Sequence, residues 1–135
     1  MDIPASSTPI ACDLSSALDT MPERLAEYRR LFDTAYVGRE RTAHGIRFRL
    51  RADEGVEAWV RDLTVREKAC CAFFAFAVTT DGDEVLWDAA VADDDLARAV
   101  LEELYRLPGD TTAAPEELAE RLTGTGLPVT HGRAG

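Results

Sequence analysis

The chain has 135 residues, enough for one domain with a two-layer core and too few to require a second. Its 46% hydrophobic and 30% charged composition is that of a globular protein in water, and the longest apolar run, Ala69 to Val78, is about half of a membrane span. A formal charge of −10 and an isoelectric point near 4.6 set its surface against the phosphates of DNA or RNA and leave neutral or cationic small ligands as the easier partners.

Residues 1–9, with Ser6-Ser7-Thr8-Pro9, read as a flexible lead-in without the basic and apolar regions of a secretory signal, so the expected compartment is the cytoplasm, with thiols reduced. Ile10, Cys12 and Leu14 alternate as an edge strand would. Thr20 and Glu23 have the spacing of a capping box, with Pro22 in the first turn, and open a helix that ends before Gly38. Leu25, Tyr28, Leu31 and Phe32 form its apolar stripe, and Arg24, Glu27, Arg29 and Arg30 are assigned to its wet side. Arg39 to Ala43 reads as a polar connector.

Ile46, Phe48 and Leu50 alternate with Arg47, Arg49 and Arg51, which predicts a half-buried strand whose arginines meet acidic neighbours. Asp53 is the expected N-cap of a second helix running from Glu54 to about Cys71. Phe73 to Thr79 is apolar on both faces, which predicts an inner strand. Thr80-Asp81-Gly82-Asp83 is a hairpin turn, and Val85, Trp87, Ala89 and Val91 mark the returning strand. Asp93 to Asp95 open a third helix carrying Leu96, Val100, Leu101 and Leu104, stopped by Pro108-Gly109. Pro115 to Gly124 is a shorter helix with Leu118 and Leu122, which could dock as a flap, and the remainder reads as a loose tail. The expected architecture is α+β, with a mostly antiparallel sheet of three to four strands and helices on one face. Residues 10–107 form the domain, and 108–135 the short helix and tail.

The chemistry concentrates at Val65 to Phe76, VREKACCAFFAF. At about 100° per residue, Glu67, Cys70 and Cys71 continue the apolar face of Val56, Trp59, Val60 and Leu63, so a carboxylate is aimed at the core beside two sulfurs. A structural ion pair with Arg29, Arg30, Arg47 or Arg49 is the reading of Glu67 preferred over a catalytic role. Neighbouring Cys70 and Cys71 would close only a strained ring, so a structural disulfide is not expected. Two cysteines beside phenylalanines also serve as core filler. If Cys12 folds against them, the three sulfurs would suit Hg(II), Cu(I), trivalent arsenic or, with a fourth ligand, Zn(II), although no zinc-finger spacing is present.

A C-terminal helix end raises a thiol pKa, which disfavours a strongly activated nucleophile, while Glu67 as general base could take a proton from a thiol or water. His44 precedes a strand and is a candidate ligand; His131, in the tail, is assigned no role. Ser-His-Asp, Gly-rich phosphate-loop and H-E-x-x-H motifs are absent, and no nucleotide or flavin signal is present.

The run I-A-C-D-L, an arginine-bearing helix and then E-K-A-C-C-A-F-F-A-F before a hairpin resembles a group of small bacterial proteins with an E-x-x-C-C-x-F-F core. Related segments of that group occur beside regulators of the mercury-resistance type. The resemblance spans Ile10 to about Leu107 and implies interest in Cys12, Glu67, Cys70, Cys71 and Phe73 and a response to thiophilic metals, with no activity carried over. Three readings follow. The first is a domain binding a soft ion through Cys12, Cys70 and Cys71, with Glu67 as proton acceptor. The second is a small enzyme using Glu67 and one thiol on a compact organic substrate held by Phe73, Trp59 and Trp87. The third is a structural or partner-binding module, with homodimerisation left open.

Overall fold

The computed structural model of the protein describes residues 3–5, 8–14, 19–109 and 113–131. Parts of the expected lead-in (1, 2, 6 and 7) and of the expected tail (132–135) lie outside the described residues, as does the side chain of His131.

The helix announced by Thr20 is α1, Met21–Ala35. Thr20 Oγ1 accepts from the Glu23 N–H at 3.3 Å and Glu23 Oε1 accepts from the Thr20 N–H at 2.8 Å, a reciprocal cap worth about 1 kcal/mol. α1 runs directly into β2, Tyr36–Arg41, which replaces the expected polar connector. Its alternation is disguised because Arg39 and Arg41 take the helix-facing positions, opposite Phe48 and Ile46, and lay their guanidiniums over the Tyr105 ring at 4.7 and 4.4 Å.

β3, Gly45–Arg51, buries Ile46, Phe48 and Leu50 completely and turns its arginines outward. They meet carboxylates as predicted: Arg47 with Asp88 at 2.6 Å, Arg49 with Glu84 at 3.3 Å and Arg51 with Asp53 at 3.3 Å. α2 is Val56–Cys70, and its N-cap is Gly55 at φ +84°, not Asp53. A left-handed residue is needed to turn the chain from β3 into the helix, which glycine supplies without a Cβ clash. β4, Phe74–Asp81, and β5, Glu84–Val91, form a hairpin through Gly82 at φ +62°. α3 is Asp95–Arg106, capped by Asp94, which accepts from the Ala97 N–H at 3.0 Å.

The sheet is antiparallel throughout, in the order β2-β3-β5-β4, and α1, α2 and α3 pack on its Ile46, Phe48 and Trp87 face. The class is α+β. β4 is an edge strand, although its sequence is apolar on both faces. Its outward positions include the small residues Ala75, which is buried, and Ala77, which is half-buried. Lys68 Nζ of α2 donates to the carbonyls of Ala72 and Phe74 at 2.9 and 2.6 Å, placing a cation at the start of this edge.

The C-terminal segment departs most from expectation. After the short 3-10 turn Leu107–Gly109, α4, Pro115–Gly124, packs on α1 with Leu118 buried, and Leu127 follows it into the core. β6, Val129–His131, then pairs in parallel with β1, Cys12–Leu14, with Cys12 opposite Val129. The predicted loose tail is structured in this part because its hydrogen-bonding partner lies at the other end of the chain, beyond the range of any local pattern.

Candidate functional site

Glu67 and Cys70 sit three residues apart on the last turn of α2, so their side chains share one face, and Cys71 caps the helix by donating its N–H to the Glu67 carbonyl at 2.7 Å. β1 crosses this end of the helix, and Cys12 forms a disulfide with Cys71 across a Cα–Cα distance of 4.6 Å. The expectation that no disulfide forms is therefore corrected. Cys71 pairs with a residue 59 positions away instead of with its neighbour, and by chain entropy such a loop closure stabilises the fold by about 4 kcal/mol. Cys70 remains a free, buried thiol.

Arg24 is the residue that local sequence misplaced. It belongs to the wet side by charge, yet lies on the stripe of Met21, Leu25 and Tyr28 and is only 4% exposed. Its Nη1 donates to Glu67 Oε1 at 2.5 Å, and its Nε and Nη2 donate to the two Asp19 oxygens at 2.6 and 2.8 Å. Nη2 also reaches Cys70 Sγ at 3.8 Å. Glu67 thus has the arginine partner that was expected, but it is none of the four named: Arg47 and Arg49 are bound to carboxylates of the sheet, Arg29 donates to the Ala113 carbonyl, and Arg30 faces solvent. Asp19 extends the cluster to Arg66 at 3.6 Å, and Arg66 in turn holds Glu27 at 2.6 Å, which accepts from Trp59 Nε1 at 2.8 Å.

The electrostatics follow from two carboxylates sharing one buried guanidinium. Asp19, more open and held by two arms of Arg24, has its pKa lowered, first by that hydrogen bond. Glu67 is pushed up, because burial outweighs Arg24 and Asp19 adds a like charge. Burial also raises the Cys70 thiol, with Arg24 opposing it, and holds the Tyr28 phenol well above its ordinary range. The Tyr28 hydroxyl is buried without a hydrogen-bond partner among the described residues, while its ring stacks on Trp87 at 5.5 Å between centroids.

These groups border a cavity of about 60 Å³. All three cysteines, Glu67, Arg24 and Tyr28 line one side, and Leu14, Met21, Leu25, Leu118, Leu122 and Leu127 are among the apolar residues closing it. Phe74 lines it too, whereas Phe73, Trp59 and Trp87, the aromatics expected to hold a substrate, do not. Phe73 is core against Phe74, Trp87 lies beneath Tyr28, and Trp59 serves Glu27. His44 is exposed in the turn before β3 and takes no part. Among the described residues, no group of three or more His, Cys, Asp or Glu side chains is arranged to hold a metal ion. Two of the sulfurs are bonded to each other and the third rests on Arg24.

Sequence reasoning missed Arg24, Asp19, Tyr28 as a cavity wall, and the C-terminal leucines. For Arg24 a signal existed: its spacing of three from Met21 and four from Tyr28 is that of the buried stripe. No known protein family, curated protein or solved structure matches the chain.

Proposed function

We propose that the protein, when its disulfide is reduced, binds a soft thiophilic metal or metalloid ion through Cys12 and Cys71, with Cys70 as a neighbouring third sulfur. The observation that carries this reading is that three sulfurs, an arginine and a buried carboxylate border one small cavity. Thiols must lose their protons to become ligands. Glu67 is placed to accept one, and Arg24 to offset the charge of a Cys70 thiolate. Oxidation to the Cys12–Cys71 disulfide withdraws two ligands, so binding belongs to a reducing compartment such as the cytoplasm. No helix is long and apolar enough to cross a membrane among the described residues. The resemblance to the E-x-x-C-C-x-F-F group points the same way.

Native mass spectrometry of the phosphine-reduced protein with Hg(II), Cu(I), arsenite or Zn(II) tests the proposal. One bound equivalent is expected, abolished by Cys12→Ser or Cys71→Ser. Binding that is absent, or equal in wild type and both variants, overturns it.

A second reading, catalysis with Glu67 as general base and Cys70 as thiol on a compact organic substrate, is favoured by the raised Glu67 pKa beside a cavity. It requires Glu67 to release Arg24. Alkylation of Cys70 that slows in Glu67→Gln across neutral pH would support it, and an unchanged rate would remove it.

A further inference from the structure

We infer, resting on the ion-binding reading above, that the ligand is a trivalent arsenic species carrying one short alkyl group, held by Cys12 and Cys71 with the alkyl group seated in the apolar cavity. Three observations converge on this class. The Cys12 and Cys71 sulfurs are adjacent enough to bond, so reduction leaves two thiols at one point, while Cys70 is turned onto Arg24. With Cys70 held by Arg24, two sulfurs are left for covalent attachment, so the bound species should bring its own third substituent. Leucines are the commonest residues lining the cavity beside those sulfurs, which suits a hydrocarbon group.

Size narrows the class further. A cavity of about 60 Å³ is less than half of the roughly 150 Å³ that accommodates benzene, so methyl or ethyl fits and phenyl does not. The reaction is a ligand exchange without change of oxidation state: CH3As(OH)2 and two thiols give CH3As(SR)2 and two waters. Two As–O and two S–H bonds break, two As–S bonds form, and each thiol proton leaves on a displaced hydroxyl. The preceding reduction of the disulfide is supplied by a phosphine and one water: the S–S bond breaks, the water's two protons go to the two thiols, and its oxygen leaves on the phosphine as the oxide.

The test titrates the full reduced chain with methylarsonous acid, phenylarsonous acid and arsenite, following Tyr and Trp fluorescence and the mass of the adduct. Methylarsonous acid should bind at least roughly tenfold more tightly than the phenyl compound, the scale of discrimination a misfit in an apolar pocket gives. Leu122 is half-buried on the cavity wall and tolerant of change. Leu122→Phe should remove the methyl preference without altering arsenite binding, and Leu122→Ala should admit phenyl. Equal affinity for methyl and phenyl, or indifference to both Leu122 variants, overturns this inference while inorganic-ion binding stands. Failure of every species to bind removes the ion-binding reading as well.

Discussion

Arg24 Nη1 lies 2.5 Å from Glu67 Oε1, joining the first turn of α1 to the last turn of α2 across 43 positions of sequence. The pair is nearly dry, with side-chain exposures of 5% and 15%, and it fixes the wall of the cavity on which the sulfurs open. Such a pair contributes little net stability against an apolar replacement of both partners, but losing one partner strands the other.

Arg24→Ala should therefore destabilise the fold by about 3 kcal/mol, because buried Glu67 loses its cation and Asp19 keeps only the more distant Arg66. Urea unfolding at neutral pH measures it. The double variant Arg24→Met with Glu67→Met should recover most of that loss.

Glu67 holds its proton more tightly folded than unfolded, so the native state binds more protons above pH 4.5, the group's ordinary value. Its contribution is fully present below that pH and is lost as pH rises through the higher folded value. Asp19 and Glu27 have lowered values and act oppositely, contributing above their ordinary range and losing that contribution as pH falls. Glu67→Gln, which still accepts from Arg24, should flatten the decline of stability between about pH 4.5 and neutrality while leaving the acid limb intact. Urea midpoints across that range are the measurement.

Cys12→Ser, or reduction of the wild type, should lower stability by about 4 kcal/mol and release β1 and β6 together. Alkylation after denaturation should count one thiol in the oxidised protein and three in the reduced one. Amide exchange should speed at Cys12 to Leu14 and Val129 to His131 and stay slow in β3 and β5.

Gly45→Ala should cost at least about 2 kcal/mol, because a Cβ there would overlap the Ala89 carbonyl oxygen in the central β3–β5 pairing. Gly124→Ala, where a Cβ meets nothing, should be neutral or slightly stabilising in a thermal melt.

Features written within a few residues were legible in the chain. The Thr20 cap, the Ile46 to Arg51 alternation, the turn at Gly82 and the acidic opening of α3 at Asp93 to Asp95 all depend on neighbours a turn or less away. So did the common face of Glu67 and Cys70, a matter of helical pitch alone. β2 was not legible because arginines stacked on Tyr105 occupy positions where a pattern requires apolar residues. β4 reads as central for the converse reason, since the alanines on its outer face give no polar alternation to mark it as an edge.

Sequence alone thus determined an α+β chain with an acid and two sulfurs gathered where a helix meets the sheet. Which arginine neutralises that acid, which sulfur bonds to Cys12, and whether a cavity lies between them were decided only by the tertiary structure. Several arginines carry the same charge and two cysteines the same thiol, so composition cannot choose among them. The choice is made when β1 and β6 close the chain's ends over α2, a return whose partners are too far apart for any local pattern to specify.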